Sequence, residues 1–399
     1  MKLYTAKVET AADRVIVADD MILTKGLPTA AGSRMLDGYQ SLFEAEVLTR
    51  LASQGYTLGG KADVGEFAID LVGETSYNGA CVADGKLVSA AAEIVKSGEA
   101  MAAVCLDVNG SVRRAAAQSG LVSVKPTYGT VSRFGTVPVA CSGETVSVMA
   151  AHADDCQAVL DAMVGHDDKD GTSLPAALCD AVKMADVPAA RRVAVLTSMK
   201  EGIDGDVAAK LEAAIAELKK NGVEVVDVES RVIAASRVAW NILMSAELCN
   251  NVSRYDGVKY GYRSETFTNI EELYTNSRTE AFGDLLKTAI LFGSETLSTD
   301  NYMKVYDKAL RTRRVIVEAF AELFREYDAV LLPACSTPAY TQEMLAANKH
   351  MAFEENAYTA PASITGLPAV VVGGVQLVGK AFSENTLFGL VRMFEKEGK

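Results

Sequence analysis

The sequence predicts an α/β fold on a mostly parallel, two-sided sheet. Three observations carry that reading: short β-branched runs bounded by Gly, Pro, Asp or Ser; helical patterns between those runs; and steps at which a helical pattern hands over directly to a strand. The runs are RVIVAD (14–19), RRVAVLT (191–197), VEVVDV (223–228), AVLLPA (329–334) and AVVVGG (369–374). Each is apolar along its length, as a strand buried between two helical layers must be.

The helical patterns fit between them. An amphipathic stretch lies near 150–164. Residues 205–221, GDVAAKLEAAIAELKKN, place apolar residues at helical spacing, end in Asn-Gly and lead straight into VEVVDV. Residues 301–327 form the longest pattern, with Ser298 or Asp300 expected as its N-cap, and feed AVLLPA. No low-complexity linker, proline-rich hinge or repeat interrupts the chain, so a single domain over 1–399 is expected.

Composition narrows the function classes. The 399 residues are 49% hydrophobic and 23% charged, as in soluble globular chains, and no window approaches the roughly 18 uninterrupted apolar residues of a membrane span. The start, MKLYTAKVETAADRVIVADD, lacks the apolar block and cleavage site of a secretory signal, so a cytoplasmic location is expected. Cys81, Cys105, Cys141, Cys156, Cys179, Cys249 and Cys335 are spread out and never spaced C-x-x-C, and His152, His166 and His350 are scattered. Neither a disulfide framework nor a metal site is suggested. A net charge of −13 repels a phosphate backbone, so contact with RNA is expected only through a more basic partner.

The chemistry centres on VCLDVNGS (104–111). Asn109-Gly110 tolerates positive φ and can turn sharply, presenting Ser111 beside free backbone N–H groups. These residues alone leave two readings open: a nucleophile beside an oxyanion hole, or a cap for a helix starting at Val112.

The wider sequence supplies context. GLVSVKPTYGTVSRFGTVPVACS (120–142), followed by GHDDKDGTS (165–173), resembles the amidase signature family, and within it the A-subunit branch of the glutamyl-tRNA(Gln)/aspartyl-tRNA(Asn) amidotransferases. That branch carries G-L-K-P-T-Y-G-R-V-S-R-Y-G and G-H-D-P-K-D in the same order. ILTKGLPTAAGSRMLDGY (22–39), GGKADVGEF (59–67), SRYDGVKYGYR (253–263), SRTEAFGD (277–284), YDAVLLPACSTP (327–338) and AYTAPASITGLPAVVV (357–372) also resemble its blocks. The resemblance implies an α/β/α sandwich with a mixed, mostly parallel central sheet, whose N-terminal helical region and some loops are shortened here. It also implies a reaction in which a serine attacks an amide, a second serine in a cis peptide relays protons and a lysine is the base.

Residue by residue, the resemblance puts Ser111 at the nucleophile position, because DVNGSVR stands where the family has D-T-G-G-S-I-R, and puts Asn109 and Gly110 at the oxyanion positions. Setting VADDMILTKG (17–26) against I-K-D-N-I-x-T-K-G assigns Ala18 to the lost base position. The family loop G-G-S-S-G-G-S-A-A-A corresponds to ADGKLVSAAA (83–92), so the bridging serine falls on Gly85 or Leu87 and Ser89 matches a later serine. Substrate-binding positions are substituted too: KTAILFG (287–293) has Thr288 and Ala289 in place of arginines, and ENAYT (355–359) has Asn356 in place of an aspartate.

Two functions follow as expectations. The first is a relative of the glutamine-hydrolysing A subunit that is catalytically impaired, a pseudoenzyme or accessory subunit, with no cofactor of its own. ATP and Mg would enter only through a partner B subunit, and tRNA only indirectly, in an assembly with B and C subunits. The second is an active amidase or esterase with Lys86 as the base for Ser111 and a substrate other than glutamine.

Overall fold

A computed structural model of the chain describes residues 2–183 and 189–395. Its strands are β1 (Tyr4–Lys7), β2 (Val15–Asp19), β3 (Thr57–Ala62), β4 (Val82–Ala83), β5 (Lys86–Leu87), β6 (Ala102–Asp107), β7 (Val122–Lys125), β8 (Thr145–Ala150), β9 (Arg192–Leu196), β10 (Glu224–Val228), β11 (Ala329–Pro333), β12 (Ala369–Val372) and β13 (Val375–Gly379). Eleven of them form one sheet in the order β1-β3-β2-β6-β8-β7-β12-β13-β11-β9-β10, and β4 and β5 form a separate hairpin.

The sheet is mixed. Parallel pairing holds in two flanks, β3-β2-β6 and β11-β9-β10, and antiparallel pairing joins them through β8, β7, β12 and β13. Local chemistry explains part of the antiparallel centre. Gly373 and Gly374 both have positive φ, 58° and 88°, and close a two-residue turn with Val372 opposite Val375. Only such a turn matches the twist of two adjoining antiparallel strands, and glycine enters it without strain.

Helices cover both faces, and two apolar clusters lie on opposite sides of the sheet. Ile16, Ala18, Val104 and Leu106 belong to one cluster, while Val17, Ala103, Cys105 and Met149 belong to the other. This is the period-2 alternation of a pleated strand. It decides which residues can reach Ser111.

The helix Gly205–Lys220 is capped by the Asp204 carboxylate, which accepts the Asp206 N–H at 2.8 Å, and it ends at Asn221-Gly222 before β10, as its sequence predicts. The long pattern at 301–327 departs from expectation. Its first turn, Tyr302–Tyr306, is a π-helical turn before the α-helix Asp307–Leu323, and neither Ser298 nor Asp300 caps it. The apolar stretch Arg231–Val252 is, by length and composition, the one segment among the described residues that could cross a membrane, and half of its most apolar window is buried in the core. Trp240 and Leu243, each about 1% exposed, show what that window packs into.

Candidate functional site

Ser111 opens the helix Ser111–Ser119 at the C-terminal end of β6. The turn before it depends on Gly110, whose φ is +87° and whose Cβ, if it had one, would sit 2.3 Å from Thr359 Cβ. No side chain fits there, so the strand-to-helix turn is specified by sequence.

A buried polar frame holds that turn. Asp107 pairs with Arg113 through two contacts, Oδ2 to Nε at 2.9 Å and Oδ1 to Nη2 at 3.1 Å, and its Oδ1 also accepts the Gly110 N–H at 3.1 Å. The Arg113 guanidinium further donates to the Thr359 carbonyl, Gln376 Oε1 and Ser363 Oγ. Burial alone raises the Asp107 carboxyl, but the Arg113 charge more than offsets this and holds it below the usual carboxylate range. Arg114 donates to the carbonyls of Asp70 and Leu71 and to Thr359 Oγ1.

Of the two expected oxyanion donors, the Gly110 N–H is taken by Asp107. Asn109 is fully buried; its Nδ2 donates to the Ile69 carbonyl at 2.8 Å and its Oδ1 accepts Trp240 Nε1 at 3.1 Å. The Ser111 hydroxyl is 8% exposed and has no hydrogen-bond partner among the described residues.

The base position differs from the sequence expectation. Ala18 is fully buried in the cluster on the far side of β2, so its side chain is not brought to Ser111. Asp19, one residue on and therefore on the opposite face, lines the small cavity beside Ser111. Counting the nine motif letters back from Gly26 also lands the lysine on Asp19. Asp19 Oδ1 accepts the Met21 N–H and Oδ2 the Leu106 N–H. Burial outweighs these bonds and pushes its pKa up to about 7.

The same cavity is lined by Asp63, Asp70 and Ser89, which the motif comparison did not assign to the site. Burial raises the Asp63 carboxyl despite hydrogen bonds from Ser76 and Asn78. It raises Asp70 strongly, with the Glu74 charge adding to the effect. The nearest lysine by sequence, Lys61, is committed elsewhere: its Nζ lies 2.9 Å from Asp20 Oδ1 and donates to Thr29 Oγ1 and the Pro28 carbonyl.

The bridging positions also lie away from Ser111. Gly85 is the exposed tip of the β4–β5 hairpin, and Leu87 is buried with its backbone N–H on the Tyr340 carbonyl. Ser89, the N-cap of the helix Ala90–Lys96, is the loop serine that shares the Ser111 cavity. Every described peptide bond is trans. Lys86 is exposed on the hairpin and lines a different cleft, with Gln118 and Ser119.

The substrate-binding positions separate in space. Thr288 is exposed and donates to the Asp284 carbonyl, while Ala289 is fully buried. Asn356 is buried, with its amide 2.6 Å from Asn241 Oδ1 and within reach of the Asn109 side chain. Thr288 and Asn241 open onto a mostly apolar groove of about 490 Å³, together with Arg237, Phe292 and Phe353.

The two signature blocks meet beside this frame. Ser132 Oγ donates to Asp167 at 2.6 Å, and the Arg133 N–H donates to Asp170 at 2.8 Å. Comparison with known proteins agrees with these blocks. The chain is 34% identical to the A subunit of glutamyl-tRNA(Gln) amidotransferase from Lachnoclostridium phytofermentans, over 93% of this chain and 81% of that protein. It is 32% identical to the corresponding protein of Streptococcus pneumoniae strain 70585, over 95% of this chain and 82% of that protein. The crystal structure of its counterpart from Thermotoga maritima superposes with a TM-score of 0.82 at 26% identity, covering all of this chain and 88% of the other. With residues 15–388 matching the Amidase family, the chain belongs to that family.

Proposed function

We propose that this protein is an amidase-family subunit of the tRNA-dependent amidotransferase type with little or no glutaminase activity of its own. It acts in the cytoplasm as a single-domain accessory subunit beside B- and C-type partners. The observation that carries this reading is the cavity at Ser111: among the described residues, no lysine, arginine or histidine lines it, and the serine hydroxyl has no acceptor. A serine hydroxyl attacks an amide only when an adjacent group takes its proton. Asp19 is occupied by two backbone N–H groups and offers no bond to Ser111.

The recognition side supports the same reading. A carboxylate-binding arginine is replaced by exposed Thr288 and buried Ala289, and neither carries charge. Truncating one side of a buried charged contact costs on the order of 2–5 kcal/mol, so free glutamine loses most of its affinity. The test is ammonia release from glutamine by the purified chain, by itself and with a B-type partner. Turnover is expected to be absent; robust turnover that disappears in Ser111→Ala overturns the reading.

A further inference from the structure

We propose that the cavity beside Ser111 is a binding site for a small hydrogen-bonding cation, namely ammonium. Its free space is about 20 Å³. That exceeds the roughly 10–15 Å³ needed to hold one water-sized molecule, and ammonium has that size. Three carboxylates, Asp19, Asp63 and Asp70, line the cavity together with the Ser89 and Ser111 side chains.

The nearby cations do not serve these carboxylates. Lys61 is paired with Asp20, Arg113 with Asp107, and Arg114 donates to two carbonyls and a threonine hydroxyl. Glu74 adds a further negative charge, its carboxylate accepting the N–H groups of Leu71, Val72 and Gly73. The cluster therefore has more carboxylate than local cation to balance it.

An independent observation points to a missing donor. Asp70 is fully buried, its Oδ2 accepts both the N–H and the hydroxyl of Thr75, and its Oδ1 has no partner. Buried carboxylate oxygens without a donor are rare in folded proteins. The carboxylate is also wedged in place, because a Cβ on Gly65 would lie 1.7 Å from Asp70 Oδ2. Ammonium carries four donors and can satisfy Asp70 Oδ1, a second carboxylate and a serine oxygen together. A divalent or transition metal fits poorly, because no three His, Cys, Asp or Glu side chains among the described residues converge as a ligand set. Potassium matches ammonium in radius but needs more oxygen ligands and brings no donor.

Protons compete for the same carboxylates, since burial raises the pKa of all three. The experiment is therefore thermal unfolding of the full chain at pH 8, in ammonium, potassium, sodium or tetramethylammonium chloride at equal ionic strength. Ammonium is expected to raise the midpoint by about 2 °C or more above the other three salts, as ligand binding to the folded state does. Asp70→Asn is expected to abolish that increment. Should Asp70→Asn fail to fold, Asp63→Asn and Ser111→Ala decide, each expected to reduce the increment by about half or more. Equal midpoints in ammonium and potassium overturn the proposal, as does an increment that survives these substitutions. Glutamine turnover plays no part in this test, so its outcome is separate from that of the proposed function.

Discussion

Asp107 and Arg113, six residues apart and both fully buried, form a two-contact ion pair that also fixes the Gly110 N–H and so the turn that presents Ser111. Breaking one side of such a pair leaves an uncompensated buried charge, which costs on the order of 3–5 kcal/mol. Arg113→Leu is therefore expected to lower stability by about that amount, read by urea unfolding at pH 7. The pH dependence has a fixed sign. The folded carboxyl sits below its unfolded value, so the pair's contribution is present above the unfolded pKa near 4 and is lost as pH falls through the folded value. Asp107→Asn is expected to flatten the acid limb of the stability profile; an unchanged limb refutes the assignment.

Gly110→Ala tests the turn itself. Its Cβ would meet Thr359 Cβ at 2.3 Å and Thr359 Oγ1 at 2.5 Å, at a φ of +87° that L-residues rarely adopt. Steric overlap and backbone strain add, and the expected loss is about 2–4 kcal/mol, seen as a lower unfolding midpoint. Gly120→Ala is the control: it also has positive φ, +72°, but nothing lies within 4 Å of its Cβ. It is expected to cost only about 1 kcal/mol. Equal losses for the two variants would show that crowding by Thr359 is not what selects glycine at 110.

The sequence made much of this architecture readable, for reasons visible at particular residues. Asn221-Gly222 ends a helix and AVVV-Gly-Gly closes a hairpin because each pair solves a local backbone problem that few residues solve. Ser111 was legible because its turn, its helix and the KPTYG block are contiguous or nearly so. The base position was not, because on a strand a one-residue slip moves a side chain to the other face of the sheet. The signal was present: in VIVAD, Val15, Val17 and Asp19 share one face, and Ala18 belongs with Ile16. Asp63 and Asp70 were missed for a different reason. They lie about 40 to 50 residues before Ser111, beside β3, and only the packing of the loop after β3 against the Ser111 helix brings them into its cavity.

Asp19 also makes a pH prediction of the opposite sign to Asp107. Burial raises its folded pKa to about 7, against an ordinary aspartate value near 4, and Glu66, buried and bonded to Ser33 and the Gly283 N–H, is likewise raised to about 7. Between those limits the folded chain keeps protons that the unfolded chain releases, so stability falls as pH rises from about 5 to 7. One group shifted by about three pH units changes stability by a few kcal/mol at most, on the order of 1.4 kcal/mol for each. Asp19→Asn is expected to remove part of that slope, measured by urea midpoints from pH 5 to pH 8. A slope unchanged by the substitution would show that Asp19 titrates as an ordinary carboxylate.

Asp19→Lys tests the functional reading at its weakest chemical point. Asp19 is the residue of β2 that faces the Ser111 cavity, so a lysine there would extend its ammonium toward Asp63, Asp70 and the serine. Those carboxylates offset the desolvation that makes a lone buried lysine costly, so the variant is expected to fold. A positioned base contributes roughly 10²–10⁴ to a proton-transfer step, and Ser111 in the parent chain has none. A fluorophosphonate probe reads this directly: the parent chain is expected to label slowly, and Asp19→Lys to label faster by about tenfold or more at pH 8, with Ser111→Ala abolishing both signals. Full rescue is not expected, because the Gly110 N–H is held by Asp107 and Ser89 stands as a helix cap. Rapid labelling of the parent chain would mean that Ser111 already has a working base, and the accessory-subunit reading would fail.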